Sequence, residues 1–293
     1  AAFPIARMAR LLKVSVSGFY AWLKARHRDA DDARQPPRVR SRRDLDRRVR
    51  RIWADSHETY GSPRIRAQLA REGVRVDRKT VAASMRRQGI QGISPRRFRP
   101  VTTIPGTRTH SIPDRCKRTW DQGEVNRVWV TDITYLRTRQ GWVYLCGIKD
   151  ACSRKIIATA MDTTMTTDLV ETALRRAREL RGGLPENVIL HSDRGAQFTS
   201  EQMYRCCEEL NFDQSMGRTG VCWDNAMIES QWSILKSEFY DRHEWDTTAE
   251  AIRGVEEWIY GFYNVRRLNS SIGYQTPVEF EAHHNAATLK AAA

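Results

Sequence analysis

At 293 residues the chain exceeds one ordinary domain, so two or more domains are expected. Its mean hydropathy of -0.62 and lack of a long apolar run exclude a membrane-spanning helix. The net charge of +14 is uneven: residues 1–120 hold 30 Lys and Arg against 10 Asp and Glu, whereas residues 121–293 hold 19 against 25. A basic first part joined to a mildly acidic second part predicts a polyanion-binding region ahead of a separate working region.

The start, Ala1 to Lys13, has spaced cations and no small-residue cleavage site, so it does not read as a secretory signal. The chain opens on Ala rather than Met, and the true N-terminus is expected upstream or processed. Pro4 to Arg26 reads as two short helices around a turn at Val14-Ser15, with Ser17 as cap of the second. This is the pattern of a helix-turn-helix over 1–28, although Lys13 stands in the turn where Gly is common. Residues 29–43, charged and containing Pro36-Pro37, read as a linker.

A second helical unit is expected over 44–92. Leu45, Val49, Ile52 and Trp53 make one stripe, Pro63 opens a helix carrying Ile65 and Leu69, and Gly73 ends it. Asp77 is the expected cap of a third helix, basic on its outer side. Arg64, Arg78, Lys79, Arg86 and Arg87 are its candidate DNA contacts, cations that reach phosphates while a few side chains read bases. Residues 93–126, rich in Pro, Gly, Thr and Arg, read as a basic linker.

From Val128 the period changes to that of strands: Val128–Leu136, Trp142–Ile148 and Lys155–Ala160, with a turn at Arg139-Gln140-Gly141. A helix over Asp168–Leu180, a strand Val188–His191, a helix Glu201–Leu210 and a short strand at Phe212 follow. Two long helices are expected over Ala226–Tyr240 and Thr248–Arg266. The whole is a mixed α/β domain over 127–266, with 267–293 as a C-terminal tail. Trp258, Ile259, Phe262 and Tyr263 fit either packing within one chain or contacts between subunits. The six cysteines form no CxxC pair and read as reduced thiols packed as small hydrophobes, which fits a cytoplasmic protein without structural zinc.

Three acids stand out by position. Asp132 lies mid-strand, where an uncompensated charge is expensive. Asp193 follows an apolar strand, and Glu229 opens a helix. Converging carboxylates repel unless a cation sits among them. Oxygen-seeking Mg²⁺ is the natural one, with Mn²⁺ as a substitute. Two such ions roughly 3.5–4 Å apart suit an in-line phosphoryl displacement.

The text around these acids is specific. Trp129-Val130-Thr131-Asp132-Ile133-Thr134-Tyr135, His191-Ser192-Asp193-Arg194-Gly195-Ala196-Gln197-Phe198 and Cys222-Trp223-Asp224-Asn225-Ala226-Met227-Ile228-Glu229-Ser230 resemble the insertion sequence three family of bacterial transposases. So do Tyr263-Asn264 with Gly273-Tyr274-Gln275-Thr276-Pro277, and Tyr60-Gly61-Ser62-Pro63-Arg64-Ile65. The acids themselves, with 35 residues between the last two, resemble the DDE triad of retroviral integrases. Where the family often has His, this chain has Asn269, and no role falls to it.

The resemblance implies helix-turn-helix units ahead of a ribonuclease-H-like, integrase-core catalytic domain with C-terminal helices. It implies a triad of Asp132, Asp193 and Glu229 holding two Mg²⁺ ions, and DNA contacts from Lys236, Asn225, Trp223 and Arg218, with Gly217 and Gly220 admitting a DNA end. The implied activity is 3′-end cleavage at terminal inverted repeats and strand transfer into target DNA through a circular intermediate. A homodimer or larger assembly on the DNA would bring two ends together. The implied setting is the bacterial cytoplasm and nucleoid, and the implied product is fused by frameshifting to a short upstream frame. The rival expectations are a ribonuclease-H-like nuclease acting on RNA–DNA hybrids, and a non-catalytic DNA-binding regulator.

Overall fold

The computed structural model describes residues 4–29, 37–93, 111–117, 119–217 and 225–292. The chain divides into two compact units, residues 1–92 and 93–293.

The first unit is helical. α1 (Ile5–Leu11) and α2 (Val16–Asp29) form the hairpin expected from the sequence. The cap of α2 is Ser15 rather than Ser17: Ser15 Oγ accepts the backbone N–H of Gly18 at 2.8 Å. Lys13 adopts the left-handed conformation (φ 54°) for which Gly is usually selected, so the turn forms despite its residue type. α3 (Pro37–Asp55) begins inside the stretch read as a linker, because Pro37 is preorganised for a first helical position.

α4 (Ser62–Arg71) and α5 (Arg78–Arg87) pack on α3. Val49, Ile52, Ile65, Leu69, Val81 and Met85 make their shared core. Asp77 occupies the position before α5 but makes no side-chain cap. The unit is tied by Asp46 on α3, whose carboxylate accepts from Ser84 Oγ at 2.5 Å and from Arg87 at 2.6 Å. The Arg87 guanidinium and the Ser84 hydroxyl hold this carboxyl below its usual range against the opposing effect of burial, which is the largest influence on it.

The second unit is a five-stranded sheet in the order β3-β2-β1-β4-β5. β1 (Val128–Thr138), β2 (Gly141–Asp150) and β3 (Ile156–Asp162) form the antiparallel meander, and β4 (Val188–Ser192) and β5 (Phe212–Met216) run parallel to β1. Alternation along β1 sends Trp129 to one core, with α6 (Thr167–Arg181) and α7 (Glu201–Glu209), and Val128, Val130 and Leu136 to a second core on the other face. That second core receives α8 (Ala226–Glu238) through Ile228, Trp232 and Leu235, spaced on one helix face.

α9 (Thr248–Glu256) runs on into a π-helical turn, Glu257–Tyr263. Trp258, Ile259, Phe262 and Tyr263 are all buried in the second core, so they pack within the chain rather than offering a face to another subunit.

Two boundaries differ from those read in the sequence. Residues 111–117 belong to the folded unit: Ile112 lies in the first core, and Ser215 Oγ accepts the Arg115 N–H at 2.9 Å. The tail is also structural. Arg267, 1% exposed, donates two hydrogen bonds of 2.7 Å to Glu238 at the end of α8. Glu281 on α10 (Pro277–Ala292) binds Arg181, Lys155 and Ser153. Charged side chains this deep are retained only when paired, and the partners are on either side of the proposed domain edge. Among the described residues no helix is long and apolar enough to cross a membrane.

Candidate active site

β1 carries Asp132 at the point where β4 stops pairing with it. The parallel ladder joins only Val128–Val130 of β1 to β4, and β4 ends at Ser192, one residue before Asp193. Two adjacent parallel strands therefore deliver one acid beside the other. Asn225, at the start of α8, donates its side-chain N–H to the Thr131 carbonyl at 3.3 Å. That bond seats the beginning of α8, and with it Glu229 in the first helical turn, against the same stretch of β1. An acid in a first turn is also favoured by the helix dipole.

The electrostatics record this convergence. Asp132 is half-buried as a residue, but its carboxyl group is enclosed. Burial pushes that carboxyl well above the usual carboxylate range, and the charges of Asp193 and Glu229 push it further. Two hydrogen bonds oppose the rise, from the Ile133 backbone N–H and from Trp232 Nε1, the latter at 3.1 Å. Glu229 is raised as well, by burial first and then by Asp193. Asp193 is shaped by its own turn, where its Oδ1 accepts the Gly195 N–H at 2.9 Å. The neighbouring Arg194 donates to the Gly217 carbonyl at 2.6 Å, pinning the strand end.

Trp232 and Gly147 are functional neighbours that the sequence reading missed. Gly147 is the register partner of Asp132 across the β1–β2 ladder. A Cβ there would lie 2.5 Å from Trp232 Cη2, so only glycine lets the indole lie flat on the strand and reach Asp132. The available signal was spacing: Trp232 follows Glu229 by three residues and shares its side of α8.

Lys236, two turns beyond Glu229, sets its ammonium 4.7 Å from the Tyr135 ring centroid. Burial pushes the amine down, while Asp241 and then Asp132 hold it up. Lys236 therefore stands within electrostatic range of the acids. Arg218, Gly220 and Trp223 fall outside the described residues. In the first unit, Arg78, Lys79 and Arg86 are exposed on α5, whereas Arg87 is engaged by Asp46 and Arg64 lies over the Tyr60 ring at 5.5 Å. His191, not assigned as a ligand, is buried with Nδ1 2.9 Å from Ser215 Oγ.

Among the described residues no three His, Cys, Asp or Glu side chains stand close enough together to hold a metal ion. The chemistry of the set nevertheless fits one. All three candidates are hard oxygen donors, and burial together with the neighbouring charges disfavours ionisation of Asp132 and Glu229, a cost that a cation among them would relieve. Among the described residues the buried Asn225 Oδ1 has no hydrogen-bond partner.

The chain is similar to known proteins along most of its length. The integrase core domain family matches residues 122–222, a second integrase core domain family matches residues 210–277, and an HTH-like domain family matches residues 40–98. The transposase InsF for insertion sequence IS3A of Escherichia coli K12 is 35% identical over 96% of this chain and 95% of its own. The insertion element IS600 uncharacterized 31 kDa protein of Shigella sonnei is 34% identical over 96% of this chain and all of its own. Among solved structures, the HTLV-2 integrase catalytic core domain in complex with magnesium aligns with 53% of this chain and 96% of that one, at 14% identity and a TM-score of 0.42.

Proposed function

The chain belongs to the insertion sequence three family of transposases, and we propose that Asp132, Asp193 and Glu229 are the carboxylates with which it breaks and joins DNA. It is a DDE transposase, a polynucleotidyl transferase that binds DNA. The observation that carries the assignment is the Asp132 carboxyl, enclosed mid-strand and raised first by burial and then by the charges of Asp193 and Glu229. A purely structural carboxylate in that position would have a cationic partner instead.

The proposed cofactor is Mg²⁺, two ions per site, with Mn²⁺ as a substitute. Bound there, the ions supply the positive charge that both the attacking and the leaving oxygen of a phosphodiester need. Asp132 would hold them from within β1, Asp193 from just past the end of β4 and Glu229 from the first turn of α8. The Trp232 N–H fixes one oxygen of Asp132, and the carboxylate so held would be available to a cation. Asn225 keeps α8 docked on β1, and so keeps Glu229 in range. Lys236 offers an ammonium for a DNA phosphate next to the acids, where a charge-assisted contact also helps to orient the strand.

In the proposed reaction, water hydrolyses a phosphodiester at the element's end and frees a 3′-hydroxyl. That hydroxyl then attacks a second phosphodiester on the same DNA, expelling a new 3′-hydroxyl as the ends join in a circle. Hydrolysis at the circle's junction frees 3′-hydroxyls again, and these attack target DNA, each expelling a 3′-hydroxyl there. Arg78, Lys79 and Arg86 on α5 are the proposed contacts to the terminal inverted repeats, in a domain spanning 44–92. A homodimer or larger assembly would hold two ends together, in the bacterial cytoplasm and on the nucleoid. The test is strand cleavage and joining on duplexes carrying the element's ends. Asp132→Asn, Asp193→Asn and Glu229→Gln are each expected to abolish both reactions while binding persists. Cleavage at the wild-type rate in any of the three would remove that residue from the site.

A further inference from the structure

Among the described residues no strand lies beside the outer edge of β1 beyond Asp132, because β4 pairs only as far as Val130. The hairpin that β1 makes with β2 continues past this point and carries large aromatic side chains in the open. Tyr135 is 54% exposed and Trp142 is 42% exposed. Their rings meet edge to face with centroids 5.4 Å apart. Arg137, directly opposite Trp142 in the ladder, lays its guanidinium 5.3 Å from the indole centroid. Lys236 reaches the Tyr135 ring from α8. Together these side chains line a groove of about 720 Å³, within the range of roughly 300–1,000 Å³ typical of ligand sites.

Rings of this size are normally withdrawn from water, and each one left out forfeits burial that a core would supply. Here the two rings also carry cations, so the ledge presents flat π surfaces with positive charge beside them. That combination suits a nucleic acid whose bases are unstacked, since every base has a face to stack and every nucleotide a phosphate to neutralise. A paired duplex keeps its base faces covered and cannot use the rings in this way. The ledge is also continuous with the proposed active site: Tyr135 is three residues along β1 from Asp132, and Lys236 is influenced by the charge of Asp132. The acids on the groove do not cancel this, because Glu244 is engaged by Arg139 at 2.6 Å, and Asp241 acts on the Lys236 amine in the direction opposite to burial.

We infer that Tyr135 and Trp142, with Arg137 and Lys236 beside them, form a stacking site for unpaired nucleotides of the DNA strand adjacent to the carboxylates. The inference rests on the transposase reading of that site and adds how a strand is held there once its end has opened.

The experiment uses the full chain and a labelled single-stranded oligothymidylate of about 12 nucleotides. A photoreactive 5-iodouracil version is expected to crosslink to Tyr135 or Trp142, mapped by mass spectrometry. Tyr135→Ala and Trp142→Ala are each expected to weaken its binding roughly tenfold or more, with Trp142→Phe restoring most of it and duplex binding unchanged. Crosslinks confined to other residues, together with wild-type affinity in both alanine variants, would overturn the inference. Crosslinking is read on the wild-type chain, so it stands whether or not a variant folds. Asp132→Asn separates the two readings: it is expected to bind the oligonucleotide normally yet cleave nothing. If it cleaves, the carboxylate assignment fails while the crosslinks still judge the ledge.

Discussion

Truncating Arg267 offers a direct measure of how far the C-terminal segment is built into the catalytic unit. Arg267 and Glu238 are 1% and 0% exposed in their side chains and share two hydrogen bonds of 2.7 Å. Arg267→Met removes this cation from the enclosed Glu238 carboxylate, and breaking a buried pair in this way costs about 3–5 kcal/mol. Glu238→Leu is expected to cost a similar amount by stranding Arg267. The double variant Glu238→Leu with Arg267→Met removes both charges, and it should recover most of the loss, since buried pairs are often replaceable by apolar groups of like volume. A coupling energy of at least about 2 kcal/mol is expected from the cycle. The assay is urea unfolding followed by tryptophan fluorescence, which reports chiefly on the second unit because seven of the nine tryptophans lie there. If each single variant loses less than about 1 kcal/mol, or the double variant equals the sum of the singles, the pair is not a buried constraint and the segment after residue 266 is peripheral.

Lys149 is buried on β2, donates to Gln231 Oε1 at 3.0 Å, and is pushed down to about 7 by burial and then by Arg154 and Arg267. The folded amine sheds its proton near pH 7 and the unfolded amine near 10.5, so its contribution makes stability rise with pH across that window, by at most about 1.4 kcal/mol per unit. Lys149→Met should be more stable than wild type near pH 7, with the difference narrowing toward pH 10; a constant difference in denaturation midpoints would refute this. Gly147→Ala drives a Cβ into the buried Trp232 ring, for about 1–3 kcal/mol of overpacking. Because the indole N–H would also leave Asp132, DNA cleavage should drop by roughly a hundredfold with binding retained, and cleavage at the wild-type rate would show that Trp232 does not position the acid. Asp132→Asn relieves a penalised charge and should raise the thermal midpoint of the metal-free chain. Added Mg²⁺ or Mn²⁺ should stabilise wild type by about 2.7 kcal/mol at a hundredfold excess over Kd, and that variant far less. An equal metal response in both would place the ions elsewhere.

Much of this molecule was legible because it is encoded locally. The two-residue alternation of Val128–Leu136, the helical stripe of Ile65 with Leu69, and Pro63 near the start of α4 each name an element and the face it buries. The three acids were legible by the cost of their positions and by the residues around them. Pairings across long separations were not. A glutamate in the last turn of α8 and an arginine beyond α9 read as solvated charges until folding buries them together. The indole of Trp232 reads as core, and only the register that sets Gly147 opposite Asp132 turns its N–H toward a carboxylate. Trp258 to Tyr263 fitted a subunit face equally well, since periodicity states that a face is apolar but not what covers it. Sequence therefore determined most of the elements and their faces, and named the acids of the proposed site. Tertiary structure decided which enclosed charges meet and where the unit ends, because the desolvation that makes such a pairing necessary exists only once the chain has closed around it.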